Sequence, residues 1–242
     1  MKEDNDANIV AHSWGGNNLK SIIITGAGSG LGKELALLYA SQGFHIILIG
    51  RTMKKLKVVE EQIQANNGHA DSYTVDITDK KSVQNFIKEV ANHFNLYGLI
   101  NNAGVGHFGP FENLKQDEME EMISTNVLGT IYMTQAILPF LKEKNNGLLM
   151  NIISTAGLTG KVNETGYGAS KFAVRGLTES LQKEYENTGL EIKDVYMGGM
   201  DTPFWENSTH IKDKSGLRSA AEIAKIIYEH QNEKTIIIES KG

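Results

Sequence analysis

The sequence predicts an α/β protein built on one doubly wound parallel sheet of about seven strands. Short runs rich in β-branched residues alternate seven times with amphipathic stretches, which is typical of a parallel sheet covered by helices on both faces. Most of these runs are almost continuously apolar, as strands buried on both faces are. Twenty-five glycines against three prolines also indicate repeated tight turns or close backbone approaches.

The strands are predicted from these apolar runs, and the lack of a proline- and serine-rich linker or an internal repeat predicts one domain over residues 20–242. Residues 1–19 are a polar, asparagine-rich leader, which we interpret as a disordered arm or an added segment. The predicted strands are Ser21–Thr25, His45–Ile49, Asp71–Val75, Gly98–Asn101, Gly147–Ile153, Glu191–Tyr196 and Thr235–Glu239.

The helices are predicted from apolar residues that recur at helical spacing. Leu35, Leu38 and Tyr39 share one side of the first helix, and Leu56 and Val59 begin the apolar side of the second. The predicted helices are Lys33–Ser41, Met53–Ala65, Ser82–Phe94, Gln116–Lys144, Tyr167–Asn187 and Ala220–Gln231.

Composition excludes several classes of function. The 242 residues include no cysteine, so disulfides, thiolate metal sites and a cysteine nucleophile are excluded. Seven histidines show no metal-ligand spacing, and we expect no metal site. A net charge of −5 gives no general attraction for nucleic acid. No signal peptide and no apolar run of about 18 residues are visible, so we expect a cytoplasmic protein without a membrane segment.

A glycine-rich turn joins the first predicted strand to the first helix. Four glycines fall within seven residues, at the place where a doubly wound sheet binds a pyrophosphate on the free N–H groups of a helix N-terminus. The spacing is G-x-x-x-G-x-G. We therefore predict a dinucleotide site whose phosphate-binding residues are Gly26, Gly28, Ser29, Gly30, Leu31 and Gly32.

The residues after the second strand favour NADP(H) over NAD(H). An acidic side chain commonly binds the ribose hydroxyls of NAD at this distance from the glycine turn, yet no Asp or Glu lies between Leu35 and Val59. Instead Arg51 follows the strand, with Lys54 and Lys55 close behind, and a guanidinium suits a 2′-phosphate. The alternative is that these cations only solvate a helix start.

Three side chains later in the chain could form a reaction centre. Tyr167 and Lys171 are four residues apart and share a face of a helix, and Ser154 follows the fifth strand. The carboxyl ends of parallel strands are where such folds bind ligands, so the three side chains could converge beside a cofactor. For Tyr167 alone, the alternative is a packed aromatic at a helix start.

Four motifs in the expected order resemble the short-chain dehydrogenase/reductase family. They are the glycine turn from Thr25 to Gly32, the Asn-Asn-Ala-Gly of residues 101–104, Ser154 with Tyr167 and Lys171, and the Gly-Gly-Met-Asp-Thr of residues 198–202. The resemblance covers Lys20 to about Ser240. It implies a Rossmann fold with strand order 3-2-1-4-5-6-7, and Asn126 matches the catalytic asparagine of the family.

The resemblance also implies roles for these residues. Tyr167 would exchange a proton with the substrate oxygen, Ser154 would hydrogen-bond that oxygen, and Lys171 would favour the tyrosinate and bind the nicotinamide ribose. Asn126 would hold a water that links Lys171 to solvent. The remaining cofactor contacts implied are Asp76 and Ile77 at the adenine, Asn102, Ala103 and Gly104 at the adenosine, and Thr202 at the carboxamide.

We therefore expect an NADP(H)-dependent oxidoreductase that reduces a small carbonyl compound or oxidises the matching alcohol. The alternatives are a non-catalytic dinucleotide-binding regulator and an epimerase or dehydratase of the same family. Phe204 and Trp205 form either a lid over the substrate or a surface plug, and Ala156 and Val162 are further positions expected to face the substrate.

A homodimer is expected because two predicted helices carry more apolar residues than one sheet-facing stripe requires. These helices are Gln116–Lys144 and Tyr167–Asn187. A tetramer is the alternative, and the end of the chain soon after the seventh strand favours the dimer. Methionine at 197 and isoleucine at 153 depart from residues common in the family without removing a reacting group. The apolar positions are Ile131, Met133, Ile137, Leu138, Leu141, Phe172, Val174, Leu177 and Leu181.

Overall fold

A seven-stranded parallel sheet forms the centre of the computed structural model, which describes residues 19–206, 210 and 216–240. The predicted leader, apart from Leu19, lies outside the described residues. The strands of this sheet are β1 (Lys20–Thr25), β2 (His45–Gly50), β3 (His69–Thr74), β4 (Asn95–Asn101), β5 (Gly147–Ile152), β6 (Leu190–Met197) and β9 (Thr235–Ile238). Their order, β3-β2-β1-β4-β5-β6-β9, confirms the prediction, β9 being the seventh strand of the sheet.

Helices cover both faces of this sheet. One core contains side chains of α1, α2 and α7, and the other contains side chains of α3, α5 and α6, so the doubly wound arrangement is confirmed. The helices are α1 (Gly30–Ser41), α2 (Met53–Ala65), α3 (Lys80–His93), α4 (Gln116–Met122), α5 (Thr130–Lys144), α6 (Thr165–Glu184) and α7 (Ala220–Glu229).

The two cores explain why the strands appear in the sequence as unbroken apolar runs. Successive side chains of a strand point to opposite faces. Ile22 and Ile24 of β1 therefore pack in the first core, and Ile23 packs in the second, all with no exposed surface. Burial of every position leaves no polar face to alternate with the apolar one.

The single helix predicted over Gln116–Lys144 is interrupted. A π-helical segment, Ile123–Gly129, separates α4 from α5. Gly129 makes room for this segment, because a Cβ there would lie 2.7 Å from a side-chain carbon of Ile77. The Thr130 hydroxyl donates to the backbone oxygen of Asn126 at 2.8 Å. Segments of this kind occur often at functional sites, and this one places the Asn126 side chain in the interior.

A second, much smaller sheet lies beyond the carboxyl end of β6. Its two strands, β7 (Met200–Asp201) and β8 (Arg218–Ser219), run parallel and pair residue for residue. A 3₁₀ turn, Pro203–Trp205, follows β7 directly. Neither short strand was predicted. Within the part of the chain that the structure describes, no helix has both the length and the apolar character needed to cross a membrane.

Candidate active site

The glycine turn between β1 and α1 has a backbone that requires glycine at several positions. Gly26 and Gly30 adopt φ values of +66° and +53°, in the left-handed region that side chains disfavour. A Cβ on Gly32 would lie only 2.4 Å from the backbone oxygen of Gly26. The turn therefore keeps its backbone exposed at close range, which is the geometry that pyrophosphate binding needs.

The N-terminus of α1 is free to bind an anion. Ser29 is the N-cap residue, its side chain makes no capping hydrogen bond, and the first turn contains no acidic side chain. Thr202 lies against Gly30, since a Cβ on this glycine would be 3.5 Å from Thr202 side-chain carbons. Leu31 is buried in the core and contributes only its backbone to the turn. These features fit a dinucleotide phosphate.

The segment after β4 anchors the glycine turn. The backbone N–H groups of Asn102 and Ala103 both donate to the Thr25 hydroxyl at 2.9 Å, and the Asn102 amide donates to the Thr25 carbonyl oxygen at 3.0 Å. The side chain of Asn102 thus stabilises the turn from behind. Gly104 lies farther along, and a Cβ there would be 3.2 Å from the side-chain oxygen of Asn126.

The residues expected at the adenosine end lie on one side of the turn. Arg51 is exposed directly after β2 and makes no ion pair with a carboxylate among the described residues. Lys55 packs its side-chain stem close to the turn, 3.0 Å from a Cβ placed on Gly28. Asp76 is exposed, and its carboxylate accepts hydrogen bonds from the N–H and hydroxyl of Thr78.

Ile77, which was expected at the adenine, has its side chain in the interior. Its side chain is 8% exposed and packs against Gly129 of the π-helical segment. Any contact of Ile77 with a cofactor would therefore be made by its backbone.

Ser154, Tyr167 and Lys171 come together as the spacing predicts. The Ser154 hydroxyl lies beside the phenol of Tyr167 and accepts from the N–H of Ala156 at 3.1 Å. The ammonium of Lys171 is 5.7 Å from the centroid of the Tyr167 ring and donates to the Ile152 carbonyl oxygen at 3.2 Å. A phenol, a hydroxyl and a cation therefore share one small region at the carboxyl end of β5.

Burial controls the protonation of both ionisable groups. It raises the pKa of Tyr167 well above its ordinary value, the hydrogen bond with Ser154 opposes this rise, and the negative charge of Glu164 adds to it. Burial also lowers the pKa of Lys171, from 10.5 to about 8.

Asn126 holds the region between β4 and α6 together. Its amide accepts from the N–H of Val105 and donates to the carbonyl oxygen of Val105, both at 2.8 Å, and it donates to the Ser170 hydroxyl at 2.9 Å. The side chain is 1% exposed. Asn126 therefore positions the chain between the glycine turn and the Tyr167 helix, and both N–H groups of its side-chain amide donate hydrogen bonds in doing so.

Aromatic rings cover one side of Tyr167. The ring of Phe108 is 5.3 Å from that of Tyr167, and the ring of Phe204 is 5.9 Å away, measured between centroids. Trp205 and His210 both pack against Phe108, at 5.0 and 4.7 Å. The sequence identified Phe204 and Trp205 but missed Phe108 and His210, which have no local motif.

Two other positions expected to face the substrate have opposite placements. Ala156 is 1% exposed and belongs to the apolar cluster that contains Tyr167. Val162 is 84% exposed and lies outside that cluster. Val162 is therefore not part of the apolar surface that packs around Tyr167.

Comparison with known proteins agrees with this geometry. Residues 20–213 match the protein family described as short chain dehydrogenase. The chain belongs to the short-chain dehydrogenase family. It is an oxidoreductase of this family, whose members transfer hydride with a nicotinamide dinucleotide.

Several relatives of this dehydrogenase are similar over most of their length. An uncharacterised oxidoreductase of Staphylococcus epidermidis is 31% identical over 190 residues, which is 78% of this chain and 81% of the relative. An alcohol dehydrogenase of Thermococcus sibiricus, solved with 5-hydroxy-NADP, has a TM-score of 0.84 and 25% identity, covering 92% of this chain and 97% of that one.

One further solved structure shows the same fold with the other cofactor. A short-chain dehydrogenase/reductase of Burkholderia phymatum in complex with NAD has a TM-score of 0.83 at 23% identity, covering 91% of this chain and 88% of that one. At this identity the similarity establishes the fold of the dehydrogenase alone.

Proposed function

We propose that this dehydrogenase reduces a small carbonyl compound with NADPH, or oxidises the matching alcohol with NADP⁺, and that Tyr167 exchanges the proton. The observation that supports this most directly is the convergence of Tyr167, Ser154 and Lys171 beside Gly104, on the strand edge that also presents the glycine turn. A proton donor and a hydrogen-bond donor beside each other, with a cation nearby, suit carbonyl reduction.

The protonated state of Tyr167 is the state that carbonyl reduction needs. Burial keeps the phenol of Tyr167 protonated, so this side chain is ready to donate a proton to the oxygen of a bound carbonyl group. The Ser154 hydroxyl lies close enough to the phenol to donate to the same oxygen. When bound, reduced nicotinamide supplies the hydride that the carbonyl carbon accepts. The product alcohol then contains the hydride on carbon and the proton from Tyr167 on oxygen.

Lys171 stabilises the tyrosinate that forms when Tyr167 gives up its proton. With a pKa of about 8, the amine is mostly protonated at neutral pH. Its positive charge near the phenol ring lowers the free energy of the phenolate. In this proposal Lys171 also binds the nicotinamide ribose, and Asn126 holds a water that links Lys171 to solvent. Asn126 also positions Val105 and Ser170 through its side-chain hydrogen bonds.

Substitution of Tyr167 by Phe tests the proposed reaction. We expect the rate of carbonyl reduction to fall by on the order of 10²–10⁴, because a positioned acid is removed, while cofactor affinity changes little. The measurement is the loss of nicotinamide absorbance with a panel of ketones and aldehydes. Tyr97→Phe is the matched control, because Tyr97 lies near the amino-terminal end of β4, whereas the site lies beyond the carboxyl ends of the strands. If Tyr167→Phe retains more than about a tenth of the wild-type rate, Tyr167 is not the proton donor.

The preference for NADP(H) is proposed from the charges around the adenosine end. Arg51 is exposed and directly follows β2, and the stem of Lys55 lies against Gly28 of the turn, so two cations are available to a 2′-phosphate. Gly50, at the end of β2, offers no carboxylate that would repel this phosphate. One well-aligned charge-assisted pair contributes roughly 1.5–3 kcal/mol, or about ten- to a hundred-fold in affinity.

Titration of NADPH and NADH, followed by nicotinamide fluorescence, tests this preference. We expect wild type to bind NADPH more tightly and Arg51→Ala to weaken NADPH by about ten-fold while leaving NADH nearly unchanged. The structures from Thermococcus sibiricus and Burkholderia phymatum contain an NADP derivative and NAD respectively, so similarity of fold does not select between the two. Equal or tighter binding of NADH by wild type would refute the preference.

A homodimer remains our proposal for the assembly, on a narrower surface than the sequence indicated. Of the nine apolar positions predicted to be in excess, Met133, Ile137, Leu141, Val174 and Leu181 are buried within the chain itself. The large apolar residues left exposed on or beside these helices are Phe172, Ile123 and Leu128, at 42%, 37% and 38%. Sedimentation that shows only particles of monomer mass at micromolar concentration would reject the dimer.

A further inference from the structure

The substrate side of Tyr167 is formed by four aromatic rings, which we call the aromatic wall: Phe108, Phe204, Trp205 and His210. Phe108 is its centre, with ring centroids 6.1 Å from Phe204, 5.0 Å from Trp205 and 4.7 Å from His210. The ring planes of Phe108 and His210 are 12° apart, so these two rings stack. The wall ends at the catalytic phenol, which contacts both phenylalanines.

The surroundings of the wall are apolar as well. Ala156, Met119 and Met122 belong to the same cluster as Phe108 and Phe204. Thioether side chains make favourable contacts with aromatic rings. A flat apolar group therefore finds complementary surface here, whereas a hydroxylated substrate would lose its water without gaining equivalent hydrogen bonds.

A carboxylate in contact with the wall is already engaged. The Glu164 carboxylate pairs with the imidazole of His210 at 3.0 Å, and it lies three residues before Tyr167 on the same helix start. A negative charge at this position disfavours an anionic substrate group beside the phenol. Its contact with His210 also holds the ring of His210 parallel to that of Phe108.

We propose that the preferred substrates are neutral ketones or alcohols that have an aromatic ring attached to the reacting carbon, and that Phe108 and Phe204 determine this specificity. The inference rests on the proposed function, since it names the substrate class for the same site. It adds two specificity-determining residues to the chemistry at Tyr167.

Phe204 explains why a ring is favoured over an alkyl chain of equal size. It is half-buried on the 3₁₀ turn after β7, and its ring contacts both Tyr167 and Phe108. A substrate group that enters beside the phenol must replace some of these ring–ring contacts. An aromatic substituent restores them in edge-to-face geometry, while a flexible alkyl chain restores fewer and loses conformational freedom.

The test compares acetophenone with 2-octanone, two methyl ketones with equal numbers of carbon atoms. We expect wild type to reduce acetophenone with a kcat/KM at least about ten-fold higher, which corresponds to one or two ring contacts. Phe108→Leu and Phe204→Leu should each lower kcat/KM for acetophenone about three- to ten-fold more than kcat/KM for 2-octanone. Phe111→Leu is the matched control, because Phe111 is 57% exposed and outside the wall.

Binding without turnover separates this inference from the proposed function. Ligand-observed NMR measures the affinity of 1-phenylethanol and 2-octanol for wild type and for the two leucine variants. Tighter binding of 1-phenylethanol, weakened in both variants, supports the inference even if no ketone is reduced, an outcome that would reject the proposed activity alone. Equal or better binding and turnover of the octyl compounds, or equal losses on both ketones in the leucine variants, would overturn the inference while the proposed activity stands.

Discussion

Lys171→Met should make the dehydrogenase more stable at neutral pH while it removes catalytic function. Lys171 is 5% exposed, and its ammonium donates to the Ile152 carbonyl oxygen. No carboxylate among the described residues forms an ion pair with it. The buried charge therefore lowers the free energy of unfolding, as expected for a group that is retained for its chemistry. Methionine fills similar volume without a charge.

The size of the effect follows from the pKa of Lys171. Its fall from 10.5 to about 8 corresponds to roughly 3 kcal/mol of destabilisation in the protonated state. The hydrogen bond to Ile152 is lost in the variant, which costs about 1 kcal/mol. We therefore expect the free energy of unfolding of Lys171→Met to exceed that of wild type by about 2 kcal/mol near pH 7.

The extra stability of Lys171→Met over wild type should decrease as the pH rises. Below about pH 8, Lys171 is protonated in both folded and unfolded states, and the full cost is present. Between about pH 8 and 10.5, the unfolded chain binds this proton and the folded chain does not, so wild-type stability rises with pH. Lys171→Met lacks this contribution. The difference between variant and wild type should therefore shrink as the pH rises through this range.

Urea unfolding at several pH values, at one protein concentration, measures this difference. Lys193→Met is the matched control, because Lys193 is also 5% exposed but its ammonium pairs with the Glu191 carboxylate at 2.9 Å. Removing that cation should not stabilise the protein as Lys171→Met does, because its charge is already compensated by a carboxylate. The reasoning is refuted if Lys171→Met is less stable than wild type near pH 7, or if the difference between them does not vary between about pH 7 and 10.

Two further substitutions test the residues that shape the site. Gly32→Ala should weaken cofactor binding by more than about ten-fold in a fluorescence titration, because its Cβ would lie 2.4 Å from the Gly26 backbone oxygen. Gly160→Ala is the control and should leave binding unchanged, because a Cβ there would meet no atom within 4 Å. Asn126→Ala should lower the free energy of unfolding by on the order of 2–4 kcal/mol and reduce kcat, because it leaves the Val105 and Ser170 groups without their partner; unchanged urea midpoints would contradict the positioning role.

The central strands could be predicted from sequence because burial on both faces leaves a strong apolar pattern. The third strand was placed less well. It was expected at Asp71–Val75 and is found at His69–Thr74. This edge strand pairs only with β2, and Ala70 is its sole buried residue. The partner strand therefore sets its bounds through backbone pairing, starting at His45 with His69, and side chains contribute little pattern.

The site was predictable where its residues lie within one motif or one helical turn. The glycine turn and the pair Tyr167 and Lys171 are of this kind. Phe108 could not be predicted, since its contacts with Phe204 and His210 join segments about a hundred residues apart and depend on tertiary packing. The π-helical segment at Ile123–Gly129 was missed because its hydrogen-bond register changes without any change in the apolar pattern.

The small parallel pair of β7 and β8 has a consequence for how this enzyme could be altered. Met200 pairs with Arg218 and Asp201 pairs with Ser219, so the two ends of the connection between β7 and β8 lie side by side. Arg218 is held further by the Glu239 carbonyl oxygen at 3.2 Å. The closure cost of a segment with fixed ends grows only slowly with its length. Insertions or grafted sequences between Glu206 and β8 could therefore recast the substrate preference while the cofactor half of the molecule keeps its architecture.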